Sequence, residues 1–226
     1  MSYELLVQQN QLIHTGHFSR PLFELWGDGK TILRGLFEAF SPFGTTLPDI
    51  RVEPGLVSPA DQVITVNIGL VGLHRFKFDR VESTFFNFSD EVFPKIADII
   101  EASTKWIRSA VSSFEFASHQ FVYSNHCQVV NSSARDLLGS INKRSVKSGG
   151  LDLGTGLILH WEVPERNWTT QLVLDRSLVV TDGLYMMFTL LAPGSVSDYA
   201  TLAKSGRTYL EAVLSELGLT FGGTSK

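Results

Sequence analysis

Few residues in this chain stand at spacings that chemistry would need. The segment Gly27-Asp28-Gly29-Lys30-Thr31 comes closest. It lies between an apolar run at 22–26 that predicts a strand and a run at 31–40 that predicts a helix. In that context backbone amides and a lysine can cradle a phosphate. This would place a nucleotide on Gly29, Lys30 and Thr31 and make the chain a nucleotide-binding enzyme. A full phosphate-binding loop needs a glycine five residues before Gly29, and Glu24 stands there instead. A carboxylate at that point repels phosphate, so the segment reads better as an Asp-Gly turn entering a helix. Gly154-Thr155-Gly156 leads into a strand, so it offers no helix N-terminus to a pyrophosphate.

The metal-ligating types do not converge either. On one strand His119 and Cys127 share parity while His126 points the other way, so the three cannot close on one ion. His14 and His17 would share a face only on a helix, and their surroundings are polar and broken by glycine. No Gly-x-Ser-x-Gly elbow occurs, and the carboxylates are scattered, with Glu162 and Glu165 flanking Pro164 in a turn. These residues name no catalytic group, no metal and no cofactor. A catalytic pair assembled from distant residues would leave no such trace.

Binding is the class that remains. Arg75, Lys77 and Arg80 lie close to Phe76 and Phe85, as single-stranded nucleic acid would require. Period-two alternation, however, sets the cations and the rings on opposite faces, so stacking and phosphate contact cannot coincide. The one basic run, 142–147, falls in a polar loop, where a solvated surface is the default. Aromatic residues crowd one quarter of the chain. Among them Phe85, Phe88, Trp106, Phe121 and Tyr123, with Asn125 beside Tyr123, are the candidates for lining an apolar pocket under the long helices.

The composition agrees with a packed, soluble body. The chain has 226 residues, 43% apolar and 19% charged, with sixteen Phe. Disordered chains, collagen-like repeats and long charged coiled coils are excluded by that balance. A net charge of −4 disfavours a duplex-DNA binder. The single cysteine, Cys127, cannot pair internally, which favours a reducing compartment. The N-terminus lacks the basic and apolar regions of a secretory signal, and the longest strongly apolar run, 184–192, is too short to span a bilayer. The expectation is a cytoplasmic protein without a membrane segment.

The elements that must position these residues follow from periodicity. Apolar positions at three- and four-residue steps predict a long helix over 90–113, capped by Ser89, with Phe93, Ile96, Ala97, Ile100, Ile107, Ala110, Val111 and Phe114 as its stripe. A second long helix is predicted over 198–217, interrupted by Gly206 and closed by Gly218 in a left-handed cap. A short helix over 132–138, capped by Asn131 or Ser132, joins the one at 31–40. Strands are predicted at 63–68, 75–78, 114–130, 157–163, 170–174 and 184–191.

In order, the elements read strand, short helix, several strands, long helix, and then the same again. Phe78-Asp79-Arg80 is matched by Leu174-Asp175-Arg176 at an offset of 96, and Trp106-Ile107 by Tyr209-Leu210 at an offset of 103. A degenerate internal duplication, 1–113 and 114–221 with a tail at 222–226, would therefore carry about seven extra residues in its second copy. The expected fold is α+β, with antiparallel or mixed sheets and two long helices packed on one face. At the level of topology it resembles the saddle of TATA-binding-protein-like folds.

Two short segments carry a family resemblance. Pro21-Leu22-Phe23-Glu24-Leu25 is similar to the early Pro-Leu-x-Glu segment of a sporadically distributed, functionally uncharacterised family of bacterial proteins of about 250 residues. Val122-Tyr123-Ser124-Asn125-His126 is similar to that family's Arg-Tyr-x-Asn strand, with Val122 in place of the Arg. The resemblance implies the fold and a bacterial origin, and it implies no activity. The function expected is a non-enzymatic binding or protein-interaction module, self-associating through a sheet face or edge. A small-molecule or lipid-like ligand in the Phe-lined pocket is the alternative.

Overall fold

The computed structural model describes residues 2–53, 55, 61–69, 72–111, 113–141, 156–196 and 198–222. The basic run 142–147, the turns expected at 58–59 and 148–150, and Gly154-Thr155 lie outside the described residues. The elements are β1 (Tyr3–Phe18), α1 (Gly29–Phe40), β2 (Ile50–Glu53), β3 (Val63–Ile68), β4 (Gly72–Phe76), β5 (Arg80–Phe86), α2 (Phe93–Ala110), β6 (Phe116–Val129), α3 (Ala134–Ile141), β7 (Leu157–Val163), β8 (Trp168–Arg176), β9 (Leu184–Pro193), α4 (Tyr199–Glu216) and β10 (Leu219–Phe221). The strands hydrogen-bond in the order β2-β3-β4-β5-β1-β6-β9-β8-β7, with β10 parallel on β1. The fold is α+β. Among the described residues no helix is long and apolar enough to cross a membrane.

Contacts divide the chain into two compact units. Unit 1 holds Met1–Gln11, Val122–Leu190 and Ser205–Lys226; unit 2 holds Leu12–Phe121 and Leu191–Lys204. In unit 2, β2 to β5 form an antiparallel meander. Its inner face presents Ile64, Val66, His74, Phe76, Val81 and Phe85, all essentially inaccessible to water. Helices α1 and α2 cover this face. The Trp106 ring of α2 lies 4.7 Å from Phe76, and Phe40 of α1 lies 6.3 Å from it. A Cβ at Gly35 would come within 2.7 Å of the Trp106 indole nitrogen, so the glycine sets how closely the two helices approach.

Several expectations change in unit 2. The polar stretch around His14 and His17 is part of the sixteen-residue strand β1, and the two histidines therefore face opposite ways. Gly16 breaks nothing: a Cβ there would meet the Phe116 ring at 2.6 Å, so the glycine makes room for a neighbouring side chain. Residues 22–26 are not a strand; Phe23–Trp26 is a turn of 3-10 helix, closed by the Leu25 amide on the Leu22 carbonyl. On α2 the buried stripe takes in Ser103 and Thr104 and leaves Ala110 exposed. Both hydroxyls donate to the Ile100 carbonyl, at 2.8 and 2.9 Å, which lets polar residues sit on the dry face. Helix α2 begins at Phe93 without a side-chain cap, because residues 90–92 form a 3-10 turn ahead of it.

In unit 1, β7 and β8 form a hairpin around Pro164–Arg166, with Asn167 in the left-handed region at φ 53°. The Trp161 indole donates to the Tyr209 hydroxyl at 2.9 Å, and the Arg166 guanidinium lies over the Trp168 ring at 4.7 Å. Helix α3 is capped by Ser133, whose hydroxyl accepts from the Asp136 amide, and not by Asn131 or Ser132.

Gly206 explains its own presence in α4. A Cβ there would lie 2.7 Å from the Tyr123 hydroxyl. Alanine gains about 1 kcal/mol of helix propensity over glycine, but overpacking a filled core costs about 1–3 kcal/mol. Gly206→Ala should therefore lower the chemical-denaturation midpoint. In a Tyr123→Phe background, where the obstructing oxygen is gone, the same change should cost less. Equal costs in the two backgrounds would refute this packing account.

Candidate functional site

The strands of unit 1 bring together groups far apart in sequence. On β6 alternate residues are buried, so Tyr123, Asn125 and Cys127 face the core while Ser124 and His126 face the other way. Tyr185 has the corresponding half-buried parity on β9. Between β8 and β9, residues 177–183 form a tight excursion. The Ser177 amide donates to the Gly183 carbonyl at 2.7 Å, and the Gly183 amide donates to Val180 at 3.0 Å. Gly183 is obligatory, since a Cβ would fall 2.6 Å from the Val180 Cβ and 2.7 Å from the Cys127 carbonyl oxygen. Beside this excursion lies an open cleft of about 610 Å³, lined by His126, Asp175, Arg176, Ser177, Leu178, Val179 and Tyr185. Leu178 is 100% exposed and Val179 56% exposed at its rim.

Ser177 organises the cleft. Its oxygen accepts from the Val179 amide at 3.1 Å and from the Val180 amide at 2.9 Å, and it lies 2.9 Å from His126 Nδ1. A hydroxyl has two lone pairs and one proton. With both lone pairs taken by backbone donors, the proton must go to Nδ1, which leaves the imidazole proton on Nε2. Burial pushes the pKa of His126 below its ordinary value, which favours this neutral form. A serine beside a histidine suggests a nucleophile and its base. Here the oxygen has no lone pair left for attack, and among the described residues His126 has no carboxylate to orient it. The pair positions the loop.

The sequence-derived candidates lie elsewhere. Phe85, Phe88, Trp106 and Phe121 belong to unit 2, and Tyr123 and Asn125 to unit 1. All six are core residues, at most 7% exposed. Phe88 packs on Phe93, Trp106 on Phe76, and Phe121 on His14. At the Gly27–Thr31 segment, Asp28 caps α1: its carboxylate accepts from the Lys30 and Thr31 amides and from the Thr31 hydroxyl. Those amides are the donors a phosphate would use. Of the cations near Phe76, Lys77 and Arg80 are tied to Glu82 at 3.1 and 2.6 Å.

No protein-family model matches the chain, and no curated protein matches it in sequence. The geometry therefore carries the functional argument alone.

Unit 2 holds a second polar cluster that sequence spacing did not disclose. His14 Nε2 lies 3.1 Å from His119 Nδ1, and both rings are fully buried. Phe121 lies 4.8 Å from His14, while Tyr199 stacks edge-on against both imidazoles. Two neutral imidazoles can share one proton in this way, whereas two imidazolium ions could not. Burial drives His14 well below its ordinary pKa, with the neighbouring histidines His119, His74 and His17 adding to the effect. Burial likewise brings His119 down to about 4, against a contrary pull from the Gly194 carbonyl. His74 falls to about 3 and shares a 2.7 Å hydrogen bond with Ser83.

The pH dependence has a definite sign. Each of these histidines titrates near 6.5 when unfolded and lower when folded. Its contribution to stability is complete above about pH 6.5 and is lost as pH falls toward the folded value, by up to about 1.4 kcal/mol per pH unit for each group. The urea midpoint should therefore drop steadily between pH 7 and pH 5. A level midpoint over that range would show that the histidines are not buried and neutral.

Asn125 poses the opposite case. It is 1% exposed, and neither of its amide atoms has a hydrogen-bond partner. An unpaired buried amide costs about 1–3 kcal/mol. Asn125→Leu, similar in volume, should therefore raise the denaturation midpoint by about 1 kcal/mol. A marked loss of stability would mean that the amide is bonded in solution.

Proposed function

We propose that this protein is a non-enzymatic binding module, with its recognition surface in unit 1 at the cleft beside residues 177–183. One observation carries the reading. A fully exposed leucine followed by a half-exposed valine sits on a turn fixed by several hydrogen bonds, at the rim of a cleft of ligand size. A floppy apolar tip would bury itself against the body. A tip that is held out is ready for contact.

The duplication, proposed on sequence offsets, gives this loop a second significance. At an offset of 96, Gly72, His74, Phe76 and Phe78 correspond to Trp168, Thr170, Leu172 and Leu174, and every one of these is buried. At an offset of 103, Val81, Ser83 and Phe85 correspond to Leu184, Met186 and Phe188, and Ile99, Ile100 and Ile107 to Leu202, Ala203 and Leu210, again all buried. The shift in offset therefore falls between Arg176 and Leu184. The seven residues in between, 177–183, are the ones that carry the tip.

The test is residue-resolved NMR with a panel of small apolar, anionic, cationic and nucleotide fragments. Shifts should concentrate on His126, Ser177–Val180 and Tyr185, and should vanish in Leu178→Asp. Shifts confined to other surfaces, or nucleotide-induced shifts at Gly29–Thr31, would overturn the reading.

A specific observation supports self-association as a second reading. Strand β7 ends the sheet order, and Ile158 on it is 60% exposed. Exposed strand edges pair with other chains, and a charged residue blocks them. Light scattering should then give a mass above 25.1 kDa that Ile158→Lys returns to the monomer value. A wild-type monomer at high concentration would remove this reading.

A further inference from the structure

We infer that unit 2 holds a second site, which takes a free α-amino acid with an apolar side chain. A cavity of about 580 Å³ opens where the end of α2, the start of β6 and the connection from β9 to α4 meet. Its wall from α2 is one stripe, Glu101, Thr104 and Arg108, because residues three and seven apart share a helix face. At a rise of about 1.5 Å per residue the two charged ends are about 10.5 Å apart along the axis. Among the described residues Arg108 has no ion pair and no hydrogen bond; its guanidinium stands 6.0 Å from the centre of the Phe114 ring. Glu101 bridges Lys105 through Oε1 at 2.9 Å, with both side chains more than half exposed. Such a bridge is weak, and Oε2 keeps its acceptor sites. Burial is the largest influence on Tyr199; Arg108 lowers its pKa and Glu101 raises it, so both charges act on one phenol.

The rest of the wall is aromatic and held in place. Phe114 and Phe116 are half-buried, their rings edge-to-face at 5.3 Å. Tyr199 is wedged edge-on against His14 and His119. The connection after β9 is pressed onto β6, since a Cβ at Gly194 would collide with the Phe116 carbonyl oxygen. This wall selects its ligand by charge. A plain anion would meet Arg108 but also Glu101 and Glu115, and a plain cation would meet Glu101 but also Arg108. A zwitterion answers both, with its carboxylate on the guanidinium and its ammonium on the Glu101 carboxylate, as charge-assisted hydrogen bonds. An apolar side chain on the same ligand then covers the rings of Phe114 and Phe116. The volume of about 580 Å³ lies within the range of small-ligand sites. No residue is shared with the unit 1 cleft, so the two sites stand or fall separately.

The probes are L-phenylalanine, L-phenylalaninamide, which lacks the carboxylate, and N-acetyl-L-phenylalanine, which lacks the ammonium. Each is titrated at pH 6.5, where free amines are mostly protonated, and followed by NMR shifts at Arg108, Phe116 and Tyr199. Phenylalanine should bind at least fivefold more tightly than either blocked form. Arg108→Gln should abolish its advantage over the amide, and Glu101→Gln its advantage over the acetyl form. Both positions are exposed, so the variants keep the fold. A blocked form that binds as tightly as phenylalanine would overturn the inference, as would an advantage that survives its variant. Absence of phenylalanine binding, or shifts confined to His126 and Tyr185, would overturn it too, and neither touches the reading of the unit 1 cleft.

Discussion

A strand that feeds packed cores in two units has little freedom in register, and β6 is such a strand. Residues 119, 121, 123, 125, 127 and 129 are all buried, while the residues between them are partly or fully exposed. Residues up to Phe121 serve unit 2, and those from Val122 serve unit 1. A slip by one residue would exchange the two sets, putting Ser124 and His126 into a core and Phe121 and Tyr123 into water. Much else depends on this alternation. It aims His119 at His14, sets Tyr123 against the helix position that must then be Gly206, and leaves His126 outside to meet Ser177. It also buries the lone thiol: Cys127 is pushed up to about 12 by desolvation, so it behaves as a small apolar residue and not as a nucleophile.

The same alternation forces polar groups into the dry layer, and the structure treats them differently. His74 and Ser83 hydrogen-bond across adjacent strands, and His14 and His119 do so within the aromatic cage of Phe121 and Tyr199, each histidine through one ring nitrogen, while Asn125 bonds through neither amide atom. Each solution works only while the imidazoles are neutral. Packing at neutral pH therefore carries a built-in sensitivity to acid. It would not arise if aliphatic residues filled these positions.

What the sequence discloses depends on how local the causes are. Strands β3 and β7 were legible to the residue, because each is a short run bounded by turn signals. Helices α2 and α4 were legible within a few residues from their stripes. Strand β1 was hidden because Gln8, Gln9, Asn10 and Gln11 are poor strand formers and Gly16 looks like a break; its reason, the Phe116 ring, is a hundred residues away. Ser103 and Thr104 escaped the α2 stripe because their hydroxyls bond back into the helix. The cleft was illegible as a motif. His126 and Ser177 are 51 residues apart, and no spacing rule joins them. The one trace in the sequence was a length difference of about seven residues between two similar halves.

Under the proposed duplication, that difference accounts for where the proposed recognition surface lies. In the first half, Arg80 follows Asp79 directly into β5. The turn there is closed by the Lys77 amide on the Arg80 carbonyl, and ion pairs join Glu82 to Lys77 and Arg80, and Asp79 to Arg80. Its charges are used up within a tight connection. In the second half the matching Asp175-Arg176 opens into seven further residues, and the turn chemistry passes to Ser177. Three hydrogen bonds on one hydroxyl then do what a tight turn does elsewhere, returning the chain to β9 in the correct parity for Leu184. A segment held this firmly can present Leu178 to solvent at no cost to the core beneath it. The core residues on either side hold buried positions in both halves, so under the proposed duplication the halves differ in surface while sharing an interior.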